Sequence, residues 1–247
     1  MPASASPAPP SWRARRFDRD ASDGLRLTLA GVAAFLALGP FAVLAALVVG
    51  GWGPLRSADV SVTGALHTYA AGHPGWVRLM AGVSAAFAPN PLRAATALLA
   101  VWLLARGRRR AALWVAVTMT AGGLLGGLLK LLAQRRRPDL PHPVAHAGGY
   151  AFPSGHALTA GLAAGVFLVV LLPATRGRPV RRALLCTAAV TLAAVTGVSR
   201  VALGVHWSSD VVAGWLLAVA ALAGTAAACA FWRPTAVTCT GRRPDRR

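Results

Sequence analysis

An all-α, polytopic integral membrane bundle of about six transmembrane helices is the fold this sequence predicts, and three observations carry it. Apolar residues make up 55% of the 247 positions and charged residues only 13%, about half the charged share of a soluble domain. The apolar residues gather into several runs of about twenty, the length that crosses a bilayer's hydrocarbon core. The bases cluster at the edges of those runs rather than along one helix face. A water-soluble domain with this apolar load could not cover itself with polar surface, and the same composition excludes disorder for most of the chain.

Residues 1–24 are rich in Pro, Ser, Ala and Arg without apolar period and are expected to be a disordered basic tail. The Pro-rich opening and late first apolar run do not fit a signal peptide. A six-span unit is expected over 25–233, followed by a second basic tail at 234–247. The first span runs about Leu27–Val49, with Pro40 as a kink. Residues 50–76 are polar enough for an exposed loop, and Trp76–Ala88 is expected to lie at or dip into the interface. Asn90 before Pro91 makes a good helix start, a cap followed by proline at the first helical position. That places a short second span at Pro91–Ala105, then Ala111–Ala133, His156–Leu172 closed by Pro173, Ala183–Leu203 and Ser209–Phe231. The pairs Gly122/Gly126, Gly123/Gly127 and Gly161/Gly165 have the spacing of close helix packing in membranes.

The 26 bases against seven acids give a net charge of +19. Nucleic acid could attract such charge, but the position of the bases favours membrane topology. Six spans put both termini on one side. Eighteen of the 26 bases then fall on that side and eight on the other, so the positive-inside rule places both termini in the cytoplasm. Trp52, Trp102, Trp114, Trp207 and Trp232 fall near the expected interfaces, as an aromatic belt requires. Cys186, Cys229 and Cys239 have neither metal spacing nor a pairing pattern.

Topology leaves five outer bases unexplained: Arg200, and Lys130 with Arg135, Arg136 and Arg137. Lys130 is the only Lys in a chain whose other bases are all Arg. At the same outer helix ends lie Ser154, Gly155, His156, Ser199, His206 and Asp210. Charge near hydrocarbon is costly, so such residues are functional candidates by default. Three cations (Lys130, Arg137, Arg200), two His and one carboxylate point to an oxyanion, phosphate above all. Lys130 and Arg137 are seven apart, nearly two helical turns, and can face the same way, although Pro138 disfavours helix at Arg137. On a continuing helix Arg135 and Arg136 point elsewhere, toward solvent, headgroups or a role in steering anions. Ser154 fits an N-cap, which would turn the free N–H groups of the next helix toward the loop as an anion site. His206 and Asp210 are i and i+4, so Asp210 can accept from one ring nitrogen and leave the other free to attack.

Lys130-x6-Arg137-Pro138, Pro153-Ser154-Gly155-His156 and Ser199-Arg200-x5-His206-x3-Asp210 resemble, in order and without substitution, the three signature motifs of the type 2 phosphatidic acid phosphatase (PAP2) superfamily. The resemblance covers roughly residues 60–220. It implies a metal-independent phosphatase with no cofactor, fixed cations doing the work of a metal. His206 would be the nucleophile that becomes phosphohistidine, Asp210 its orienter and His156 the general acid. Lys130, Arg137, Arg200, Ser154 and the Gly155 amide would bind the phosphate. The implied substrate is a lipid phosphate, of the phosphatidic acid or polyprenyl diphosphate type, at the extracytoplasmic face of the cytoplasmic membrane. A lipid-to-lipid phosphotransferase is the alternative activity. A transporter or catalytically dead lipid-binding protein is disfavoured by charges confined to one face and by the intact His206, His156 and Asp210. The remaining imidazoles, His67, His73, His142 and His146, are expected to be structural; Pro143 breaks the i, i+4 pairing of the last two. Asp139 is expected to serve the loop, and Asp59 to be exposed.

Overall fold

The computed structural model describes residues 19–141 and 143–231. Residues 1–18 of the tail expected at 1–24, the whole tail expected at 234–247, and His142, Trp232 and Arg233 lie outside the described residues. The rest is helical, with no strand among the described residues: α1 (Arg19–Val49), α2 (Gly53–Gly72), α3 (Pro74–Ala86), α4 (Pro89–Ala105), α5 (Arg109–Ala133), α6 (Gly155–Leu171), a 3-10 turn (Leu172–Thr175), α7 (Pro179–Ala202) and α8 (Ser208–Phe231). Six stretches are long and apolar enough to cross a membrane, with α3 and α4 counted as one.

Three expectations on the N-terminal half change. Helix α1 begins at Arg19, inside the segment expected to be tail. Residues 53–72, expected to be a loop, form α2, because Pro54 occupies the first turn, where a missing N–H costs nothing. Asp59, Thr63 and Ala70 lie on one stripe of α2 and are buried, so two polar residues of this segment face inward while Arg56, Ser57 and Ser61 stay exposed. Helix α4 starts at Pro89 with Ala88 as its cap, so Asn90 lies inside the first turn.

Helix α6 is the hub, packed against α4, α5, α7 and α8, while α1 lies along α8. Nine of its residues are buried, Ala157–Ala160 and Val166 among them. Glycine permits two of these contacts: a Cβ on Gly122 would meet Leu162 of α6, and one on Gly161 would meet Ala218 of α8. Gly123 and Gly127 do not face α6. Apolar side chains instead cover the outside, Phe35 at 75% exposure and Leu124 at 70% being examples, while Thr118 and Thr225 share a 2.8 Å hydrogen bond inside. Lipid, not a protein core, is the partner of that outer surface. Trp114, expected in the belt, is buried in a cluster with Leu103 and Val166.

Candidate active site

The residues that matter converge at one end of the bundle because five chain segments end there. Helix α5 stops at Ala133, where Gln134 takes a left-handed conformation (φ 44°) as C-cap. The expected helical register for Lys130 and Arg137 therefore does not hold: Lys130 sits in the last turn of α5, whereas Arg137 arrives from the loop. Gln134 ends the helix, and Pro138 holds the residue before it, Arg137, to extended backbone. Ser154 caps α6, its Oγ accepting from the Ala157 N–H at 3.5 Å. The Ser154 N–H donates to the Asp210 carbonyl at 2.9 Å, which joins the starts of α6 and α8.

His206 is 2% exposed and Asp210 fully buried. The His206 Nδ1 lies 3.3 Å from Asp210 Oδ2, and its Nε2 lies 3.0 Å from Arg137 Nη1. A guanidinium only donates, so Nε2 is the acceptor and the ring proton sits on Nδ1, toward Asp210. Burial pushes the His206 pKa down to about 4, against the opposing hydrogen bond and charge of Asp210. The ring is thus neutral at pH 7, with its lone pair on Nε2.

Around that lone pair stand the cations. Arg137 also donates to the carbonyls of Val205 (2.6 Å), Gly148 (2.9 Å) and Gly149 (2.9 Å). Burial lowers its pKa, with the charge of Asp210 opposing. Lys130 Nζ donates to the Tyr150 carbonyl at 2.7 Å, and its Cε lies 3.9 Å from where a Gly155 Cβ would be. Arg200 is 9% exposed. It donates from Nη1 to Ser84 Oγ of α3 at 2.5 Å, while its buried Nε has no hydrogen-bond partner among the described residues. His156 lies within electrostatic reach of Arg200, His206, Arg137 and Lys130. All eight expected site residues thus gather at this end of the bundle. The cations meet only neutral acceptors, and a buried N–H without a partner is an open place for an anion's oxygen.

The other side of Asp210 holds what the motifs did not reveal. Arg135 does not point away: its Nη1 bonds Asp210 Oδ1 at 2.6 Å and Ser209 Oγ at 2.7 Å, and its Nη2 bonds Asp59 Oδ2 at 2.7 Å. Asp59, expected to be exposed, is 1% exposed. Its Oδ1 accepts from Ser208 Oγ (2.7 Å) and the Ser209 N–H (2.9 Å) at the start of α8. Burial alone would raise the Asp59 pKa, but the hydrogen bonds from Ser209, Ser208 and Arg135 outweigh it and hold the carboxyl below the usual range. The Trp207 N–H completes Asp210 Oδ2 at 2.9 Å, and the Trp207 ring N–H donates to the Arg136 carbonyl at 3.0 Å. A signal for Asp59 existed in the sequence: it is one of only seven acids. Its partner could not be read, because it lies 76 residues away. His67 ties α2 to the loop through the Pro141 carbonyl at 2.8 Å.

Comparison with known proteins adds independent observations. The family model described as PAP2 superfamily matches residues 111–234, half of the chain. Phosphatidylglycerophosphatase B of Bacillus subtilis (strain 168) is 34% identical over 94 residues, 38% of this chain and 46% of that protein. Lipid A 1-phosphatase of Rhizobium etli is 35% identical over 106 residues, 39% of this chain and 41% of that protein. The chain therefore spans under half the length of these curated relatives. The crystal structure of a transmembrane PAP2-type phosphatidylglycerolphosphate phosphatase from Bacillus subtilis superposes with a TM-score of 0.70 at 25% identity, covering 82% of this chain and 98% of that one.

Proposed function

The chain belongs to the PAP2 superfamily, and from that premise we propose that it hydrolyses a phosphomonoester or diphosphate carried by a membrane lipid, through a phosphohistidine at His206 and without metal or cofactor. One observation carries the reading: a neutral His206, with its proton fixed toward Asp210, turns its lone pair to Arg137, and Arg137, Lys130 and Arg200 hydrogen-bond only neutral acceptors.

The phosphate displaces the Arg137 N–H from Nε2 and takes it for one of its own oxygens. Lys130, Arg200 Nε and the free N–H groups at the start of α6, Gly155 among them, hold the other oxygens, a preorganised set of donors of the kind that stabilises developing charge. Nε2 attacks phosphorus, the bond from phosphorus to the lipid oxygen breaks, and His156 gives its proton to that oxygen. A protonated His156 among three cations needs the phosphate's negative charge in place. Asp210 stabilises the positive ring of the phosphohistidine. Water then attacks the same phosphorus and yields its proton to His156; the phosphorus–nitrogen bond breaks, releasing inorganic phosphate and restoring both imidazoles.

The lipid class is supported by the site's position at the ends of α5, α6 and α7, where a headgroup lies, and by the lipid phosphates in the relatives' names. A panel in detergent and in liposomes tests it, with phosphatidic acid, phosphatidylglycerol phosphate, undecaprenyl diphosphate and a soluble sugar phosphate. At least one lipid is expected to exceed the soluble ester in kcat/KM; the reverse order overturns the substrate class. The unit at 25–233 is proposed to carry the activity alone, with both termini in the cytoplasm and the site outside the cytoplasmic membrane. The distribution of bases supports that orientation. With Cys186, Cys229 and Cys239 replaced by Ser, an impermeant thiol reagent should label His146→Cys and spare Arg108→Cys. The opposite pattern inverts the orientation.

A further inference from the structure

A second cavity lies away from His206. It is a groove of about 590 Å³ between α4 and α5, lined by Thr96, Ala97 and Ala100 on one helix and Ala116, Met119 and Gly123 on the other. Its size suits a ligand chain, and Ala97, Ala100, Ala116 and Gly123 in its walls leave room between the larger Met119 and Leu124. Arg93 sits at one end, exposed, one turn into α4. Its Nη2 lies 3.7 Å from where a Gly123 Cβ would be, so the guanidinium rests over Gly123. This gives Gly123 a use other than packing against α6.

Two further facts fix the direction and the charge of an occupant. Ala116, Gly123 and Lys130 are spaced by seven, so they share one face of α5. The face of α5 that lines the groove thus continues to Lys130, whose rise above Gly123 is about 10 Å. In addition, neither α4 nor α5 contains an Asp or Glu. The Arg93 guanidinium has no hydrogen bond or ion pair among the described residues, while its carbonyl accepts from Thr96 Oγ1. The acids nearest the site are already engaged, Asp59 and Asp210 with Arg135. A guanidinium within a membrane helix marks a functional site by default, and among the described residues no acid neutralises this one.

Resting on the lipid-phosphate reading above, we propose that this groove receives a hydrocarbon chain of the substrate and that Arg93 pairs with a second anionic group on the same molecule. Preferred substrates then carry, below the phosphate that is cleaved, another phosphate joined by a short linker. A phosphodiester one glycerol away from a terminal phosphate has this form; phosphatidic acid, with a single phosphate, does not.

Two measurements test this. In the first, kcat/KM is compared for phosphatidylglycerol phosphate and phosphatidic acid of the same chains, with wild-type protein and Arg93→Gln. The substitution is expected to lower kcat/KM about tenfold for the two-phosphate lipid, the loss of roughly 1.4 kcal/mol, and less than twofold for phosphatidic acid. An equal change on both lipids, or none, overturns the role of Arg93. In the second, which needs no turnover, a phosphatidylglycerol phosphate analogue with a diazirine in its acyl chain is photolysed on the intact protein. Crosslinks are expected within 96–100 and 115–124, and to be lost in Ala97→Phe, which fills the groove. Crosslinks confined to α1 and α8 overturn the groove. Crosslinks in the groove without phosphate release from any lipid would leave the groove standing and reject the phosphatase reading instead.

Discussion

Arg135 and Arg137 stand two residues apart on one loop and meet opposite surroundings. Arg135 bridges two buried carboxylates, Asp59 and Asp210, at 2.7 and 2.6 Å. Arg137 meets backbone carbonyls and the His206 ring, all neutral. The first charge is cancelled within the protein, and its bonds pin the start of α8 to α2. The second is left for something that arrives. His206 lies between the two, proton toward the cancelled side and lone pair toward the open one. Charge balance, more than residue type, separates the arginine that builds the site from the arginine that uses it.

Perturbing the open side should cost turnover and little stability. His156→Ala is expected to reduce kcat about 10²–10⁴-fold, the range for loss of a general acid, with an unchanged Tm; a leaving group of lower pKa should recover part of the rate. Arg137→Gln should lower kcat/KM by about 10²–10³-fold, as removal of one charge-stabilising donor does. If Arg137→Gln instead unfolds the protein while retaining turnover per folded molecule, the contrast between the two arginines is wrong.

The cancelled side should behave the other way. Arg135→Gln leaves two buried carboxylates without their cation and is expected to destabilise the fold by about 3–5 kcal/mol, read as a lower Tm in detergent. Asp59→Asn keeps the shape, leaves Arg135 paired with Asp210, and should cost about 1.5–3 kcal/mol. Because the Asp59 pKa is held low, its contribution is present above the ordinary carboxylate pKa and is lost as pH falls through the folded value.

The smallest and sharpest effect is on pH. A nucleophilic His206 must be neutral, and its pKa lies near 4. After correction for the substrate phosphate's own ionisation at about 6, the acid limb of kcat/KM should have its midpoint near 4. A midpoint at the ordinary imidazole value would mean that the ring is not buried as described.

The sequence was most legible where chemistry is local. Ser154 as a cap, the i, i+4 relation of His206 to Asp210 and the basic ends of the spans all follow from spacing over a few residues. The helical runs were legible because lipid demands apolar length. What could not be read depends on distance along the chain or on a break in helical register. On a continuing α5 Arg135 would point outward; Gln134 ends the helix, and Arg135 turns inward. Asp59 reads as an exposed loop residue, because nothing near it in sequence announces a partner 76 residues later. Polarity over 50–76 reads as exposure, which holds for Arg56, Ser57 and Ser61 but not for Asp59 and Thr63 on the buried stripe of α2.

The most direct test of the central claim is to trap the enzyme during turnover. Lipid labelled with radioactive phosphorus in its terminal phosphate is mixed with purified protein, and the reaction is stopped within milliseconds in alkali, where phosphohistidine survives. The label is expected on the peptide containing His206, to be lost on acid treatment, and to be absent from His206→Ala, which should also release no phosphate. Phosphate release by wild-type protein with no label at His206, or label that survives in His206→Ala, would contradict the mechanism.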